Sequence, residues 1–284
     1  MNGYCQPVTR RKFAAALFFG TLAGAIGADG TRKLGMRVKA QAFGAGEADI
    51  KAVLRSAAGE IWKHCPNTKF EQPGFDIYRN EKYPITHFER SDDGWIVIGL
   101  ATEKMFWAQY SYQFAHEFCH AIADHSDDWR RIWRAGGHAN KWLEESLCET
   151  ASLFSLRAMG RTWQTEPPYP NWKSYAPALT RYAQERMDDP KSRVPEGRSF
   201  LEWFRENEPE MRKNGTDRPR NNVVSLQLLP LFEAEPSGWE AMSAINLGKR
   251  DPKKPLAQHF AEWKENTRAE LRPFVAKIAA VFGL

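Results

Sequence analysis

His116 and His120 flank Glu117 in the pattern H-E-x-x-H. On a helix, positions four apart project from one face, so the two imidazoles can grip one metal ion, at roughly 2.0–2.1 Å each for zinc. Glu117 lies on the flank of that face. From there it can reach a water on the metal without ligating, which suits a general base. A second helix-prone segment, 141–151, carries Glu145 and Glu149 one turn apart. A catalytic zinc takes three protein ligands and leaves a fourth position open. Glu145 supplies the third ligand, and Glu149 is placed to accept the N–H of a ligating histidine. Glu144, Glu149 and His138 are the other candidates for the third position, with a thiolate from Cys119 or Cys148 as a rarer one. A closed His/Cys site would be structural rather than catalytic.

The metzincin pattern asks for glycine at 123 and histidine at 126, where the chain has Ala123 and Ser126. With Trp142-Leu143-Glu144-Glu145 and the pair Glu145/Glu149 following 24 residues after His120, the chain instead resembles the gluzincin metallopeptidases over about residues 94–152. That resemblance implies a zincin-like α+β fold: a small N-terminal sheet and active-site helix, then a mostly helical half, with the cleft between. It also implies Zn²⁺ on His116, His120 and Glu145, with Glu117 as base, and a peptide or protein substrate. Members of the family stabilise the oxyanion with a Tyr or His. Tyr169, Tyr175, Tyr182 and His259 are the candidates here, and spacing does not choose among them. A non-catalytic envelope binding protein on the same fold and a zinc hydrolase of a non-peptide bond are the alternatives.

The elements that must position these residues follow from periodicity. A helix is expected over 47–64, with Ile50, Val53, Leu54, Ala57, Ala58 and Ile61 on one side. Short strands follow at 75–78, 85–88 and 95–100, the last two joined by the turn Ser91-Asp92-Asp93-Gly94. The chain then turns helical through the H-E-x-x-H motif to about 124. Further helices are expected at 127–134, 142–159, 174–186, 200–205, 223–232, 239–247, 256–267 and 269–282. Loops are expected at 188–197 and 208–222 from their Pro, Gly and charge content. The strand at 95–100 is the candidate sheet edge beside the cleft, although its apolar residues on both faces suit a buried strand. The aromatic stretch 163–182 either lines the cleft or packs in the core.

Arg10-Arg11-Lys12 precedes an uncharged run from Phe13 to Ala28, the layout of an export signal, and the Arg pair with Phe13 resembles the bacterial twin-arginine type. The run of 16 residues is short for a bilayer span, which needs about 20. The domain organisation expected is therefore a leader over 1–42, cut after Ala28 or Ala42, and a catalytic domain over 43–284, divided into 43–125 and 126–284. The protein would be periplasmic or secreted, carried by the twin-arginine machinery, with no stable membrane span after processing.

The whole chain has 40 basic and 35 acidic residues, net +5. Residues 1–42 hold seven of the basic and one of the acidic, so the remainder carries 33 against 34, net −1. The pI near 9.0 thus belongs to the leader, and no nucleic-acid partner is expected. Four cysteines do not make a disulfide scaffold. Cys119 and Cys148 would approach each other if the two motif helices pack across an ion, or sit as small buried apolar residues.

Overall fold

The computed structural model describes residues 34–68, 74–87, 89–123, 138–249 and 251–284. The export leader and the helix expected at 127–134 fall outside these, apart from residues 34–42. Four strands form one mixed sheet: β1 (Met36–Val38), β2 (Phe75–Arg79), β3 (Ile85–Thr86) and β4 (Ile96–Leu100), in the order β1-β2-β4-β3. β1, β2 and β4 run parallel, and β3 lies antiparallel on β4 with Ile85 opposite Gly99 and Thr86 opposite Ile98. The turn between β3 and β4 closes where expected, with Ser91 and Trp95 paired and Gly94 at a φ of 85°. A side chain there would be strained, so glycine is the residue the turn admits at no cost.

β1 lies within the segment grouped above with the leader. Met36 and Val38 are buried, so a cut after Ala42 would remove a sheet strand and a cut after Ala28 would leave it. The strand at 96–100 is an inner strand, not an edge; the edges are β1 and β3, the latter two residues long.

Among the described residues there are eight α-helices. α1 is Glu47–Trp62, α2 Trp107–Ala123, α3 Lys141–Thr162 and α4 Ala176–Met187. α5 is Phe200–Lys213, α6 Arg218–Ala234, α7 Leu256–Asn266 and α8 Arg272–Val281. None of them is long and apolar enough to cross a membrane. The six residues expected to carry the buried side of α1 are all fully buried. Where a helix is expected at 239–247, a 3-10 helix runs over Pro236–Ala244. The loop expected at 208–222 is mostly helical. α5 opens on a capping box between Ser199 and Glu202 and runs through Pro209, and α6 opens on Asp217 with Pro219 in its first turn. Only residues 214–217 remain between them.

α3 is the centre of the molecule. It packs against α1, α2, α4 and α6 and is buried on all sides. An ordinary surface helix buries one stripe; one surrounded by helices must be apolar or internally satisfied all round. α3 meets that demand with Trp142, Leu143, Leu147, Phe154 and Leu156, and with small hydroxyls that bond to backbone. Ser146 and Thr150 donate back along α3 at 2.7 and 2.8 Å, and Ser152 and Ser155 reach the carbonyls of Tyr112 and Ala57, each at 2.8 Å. The last two bonds tie α3 to α2 and α1, which fixes the rotation of α3 about its axis and so decides which of its carboxylates face α2.

Candidate metal centre

α2 presents His116 and His120 on one face. Their rings lie 5.0 Å apart and nearly perpendicular, with an interplanar angle of 69°. Glu145 comes in from α3, with its Oε2 3.4 Å from Nε2 of His116 and 3.7 Å from Nε2 of His120. A tetrahedral ion with bonds of about 2.0–2.2 Å separates its donors by roughly 3.3–3.6 Å. Both distances therefore suit donors sharing one ion better than direct hydrogen bonds, which run to about 3.2 Å.

A second donor set shares the two histidines. Ligand atoms of His116, His120 and Cys148 all lie within 4.8 Å of one another, and this buried group can hold a metal ion. Cys148 sits behind the cleft, where its thiol meets that of Cys119; both are free thiols. The two helices thus bring the sulfurs together without bonding them. Burial, then the neighbouring Cys119 thiol and the carboxylates Glu144 and Glu145, push the Cys148 thiol well above its usual value. Glu145 is shifted the other way. Burial would raise it, but His116 and His120 outweigh that and hold its carboxyl well below the usual range. Of the two candidate third donors, the carboxylate is the one already ionised.

The orientation of His120 comes from Glu144. Its Oε1 lies 2.6 Å from His120 Nδ1, and its Oε2 accepts from Asn246 Nδ2 at 2.8 Å. Burial would lower the His120 value, yet the two glutamates raise it well above that of a free imidazole. Glu144, weighed above as a third ligand, lies instead on Nδ1 of His120. Glu149 is buried beside the site, but its Oε1 lies 3.7 Å from His116 Nδ1, too far for a hydrogen bond, and among the described residues that nitrogen has no hydrogen-bond partner. Glu149 is instead held by the Tyr112 hydroxyl and by Arg218, whose Nε lies 3.0 Å from Oε1. Glu117 takes a hydrogen bond from Thr86 of β3, whose Oγ1 lies 2.7 Å from Oε2.

A cleft of about 430 Å³ opens over this group. One wall is the edge-strand segment 83–87. The other carries Lys141, Glu145 and Glu149 of α3, with Thr216, Arg218 and Asn221 at the start of α6. Four oxyanion candidates from the sequence do not line it. Tyr169 packs on Trp172, Tyr175 accepts the Ala108 N–H at 3.3 Å, Tyr182 takes up Arg186, and His259 is buried against His138. Trp163 is buried, and Trp172, Tyr175 and Tyr182 are half-buried against the core, with Trp172 stacked on Trp107. His138, the other third-ligand candidate, is also elsewhere: its Nδ1 accepts the Asn140 N–H at 3.1 Å. Sequence reasoning missed Thr86 and Arg218, since neither stands in a motif and only the packing of β3 and α6 beside α2 and α3 brings them in.

Compared with protein-family models, with curated proteins and with solved structures, the chain has no match.

Proposed function

We propose that this protein is an exported bacterial zinc metallopeptidase, with His116, His120 and Glu145 as metal ligands and Glu117 as general base. The observation that carries the reading is the convergence of two imidazole nitrogens and one carboxylate oxygen at spacings that suit a single ion. Beside them, Glu117 lines the same open cleft. Bound zinc supplies Lewis acidity, polarising the scissile carbonyl and bringing the pKa of water from about 15.7 towards about 7.

The remaining work falls to the chain. Glu117 takes a proton from the attacking water and delivers it to the leaving amine. The Thr86 hydroxyl, donating to Oε2, leaves Oε1 of Glu117 free for that proton. Glu144 accepts from Nδ1 of His120 and so keeps the Nε2 lone pair turned toward the ion. β3, as the edge of the sheet along the cleft, offers backbone groups to an extended peptide. Location rests on the leader: the Arg10-Arg11 signal supports export by the twin-arginine machinery to the periplasm or beyond.

The test is zinc content and peptide-library cleavage measured on the same samples. Glu117→Gln should keep its zinc and lose cleavage by about 10²–10⁴-fold, whereas Glu145→Gln should be zinc-poor. Equal cleavage by wild type and Glu117→Gln sinks the catalytic reading. The position of Cys148 supports a second reading, a closed His/His/Cys site in a non-catalytic envelope binding protein. Loss of zinc in Cys148→Ser with zinc retained in Glu145→Gln would select it.

A further inference from the structure

The cleft wall on α3 is a charge series. Lys141, Glu145 and Glu149 follow at one-turn intervals, about 6 Å apart along the helix, and Arg218 closes the series from α6. Lys141 lies 3.6 Å from Glu145. Arg218 approaches Glu149 through Nε at 3.0 Å and also lines the cleft. The side chain is 51% exposed on the cleft side, while Glu149 is buried and anchored from behind by Tyr112. The guanidinium is thus fixed at one edge and offers its other edge to whatever enters. It is also the first residue of α6, a 17-residue helix whose N-terminal end adds positive potential. A planar fork of N–H donors, held in place and backed by a helix N-terminus, matches the two oxygens of a carboxylate.

We propose that Arg218 forms a subsite for a substrate carboxylate near the bond to be cut. That carboxylate is either the free C-terminus of a short peptide or an Asp or Glu side chain. The word substrate rests on the peptidase reading; the carboxylate site does not. Glu149 is the positioning residue for Arg218, and Lys141 keeps the opposite end of the wall positive. Extended peptide advances about 3.3–3.6 Å per residue. Arg218 Nε and His116 Nδ1 lie 3.0 and 3.7 Å from the same Glu149 oxygen, so the anionic group would sit within one or two residues of His116.

The experiment measures binding first, by calorimetric titration of zinc-loaded, full-chain Glu117→Gln protein. The probes are N-acetyl-trialanine as the free acid, the same peptide as its C-terminal amide, and N-acetyl-Ala-Ala-Asp amide paired with its Asn counterpart. The expected result is that one or both carboxylate members bind about 10–100-fold more tightly than their neutral partners. A preference confined to the free acid assigns the C-terminus, and one confined to Asp assigns the side chain. The same preference should fall to within about twofold when Arg218→Gln is added. Equal binding of acid and neutral probes overturns the proposal. So does a preference that survives Arg218→Gln, because the carboxylate is then held by the metal alone. Should Arg218→Gln fail to fold with Glu149 unpaired, Arg218→Lys keeps a cation there without the fork, and an unchanged preference in that variant overturns the proposal equally. Cleavage of the same probes by the protein with Glu117 intact separates the two readings. Preference without cleavage ends the peptidase reading and leaves the subsite, and cleavage without preference does the reverse.

Discussion

Two pairs of histidines face each other in this protein at almost the same spacing. His116 and His120 have ring centroids 5.0 Å apart at 69°, and His138 and His259 have theirs 5.2 Å apart at 82°. Their surroundings are opposite. The first pair sits among Glu117, Glu144, Glu145 and Glu149, and His120 is held well above the ordinary imidazole value. The second pair is held below it. Burial is the first cause for both His138 and His259, Lys254 adds to it in each case, and Glu144 is the acidic group that resists it at His138. Among the described residues His259 Nδ1 has no hydrogen-bond partner. Ring spacing therefore does not make a metal site. Carboxylates converging on the same nitrogens do, because they supply the third donor, offset the ion's charge and aim the rings.

The comparison breaks first at the rings themselves. His116→Ala or His120→Ala should take bound zinc from about one per chain to near none, while His259→Phe should leave it unchanged. Elemental analysis of the three purified variants decides this, and zinc loss in His259→Phe would erase the distinction between the pairs. Next in size is the carboxylate that aims a ring. Glu144→Gln should weaken zinc by about 10–100-fold, read by competition with a chromogenic chelator. An unchanged affinity would mean that Glu144 is not what orients His120.

Thr86→Val deletes one hydrogen bond to Glu117 and keeps the side-chain shape. It should lower kcat about 3–10-fold with zinc content and KM little altered, and Thr86→Ser should restore it. A fall in KM-dependent terms only would show that β3 serves substrate binding instead.

The smallest effect belongs to the second pair and is a matter of sign. His259 in the folded protein lies well below the 6.5 of a free imidazole. Between that lowered value and about 6.5 the unfolded chain binds a proton that the folded chain does not. Its contribution to stability is therefore whole above about 6.5 and declines as pH falls below it, with a limiting slope of about 1.4 kcal/mol per pH unit for one proton. Denaturant titrations from pH 7 to 5 should show the decline in wild type and a shallower one in His259→Phe. Parallel curves would remove the buried neutral His259 from the account.

Much of the candidate site was legible because helical spacing is a local property. His116, Glu117 and His120 share α2, and Glu145 stands on α3 as the periodicity of 141–151 suggested. The division of labour among Glu144, Glu145 and Glu149 was not legible. These three lie on adjoining sectors of one helix, and the rotation of α3, set in part by Ser152 on Tyr112 and Ser155 on Ala57, decides which meets Nε2 and which meets Nδ1. Strand positions were likewise legible and their order was not. Alternation marks a strand, but the placement of 96–100 inside the sheet follows from pairing with β2, residues away in sequence. The loop expected at 208–222 failed for a different reason. Pro209 and the run of charges read as breakers, yet the capping box at Ser199 and Glu202 and the burial of Trp203, Phe204 and Met211 carry α5 past the proline. The tyrosines of 169–182 failed through tertiary packing, which turned them toward Trp172, Trp163 and Arg186.

The short contact between His120 and Glu144 has one further consequence. With Glu144 and Glu145 both drawing a proton onto the imidazole, His120 holds that proton more tightly than a free imidazole does. A metal ion entering must evict that proton, so loading the site is also an acid-releasing reaction. Apparent affinity should then drop about tenfold for each pH unit of acidification, one proton per ion. The heat of metal uptake should shift with the ionisation enthalpy of whichever buffer receives the proton.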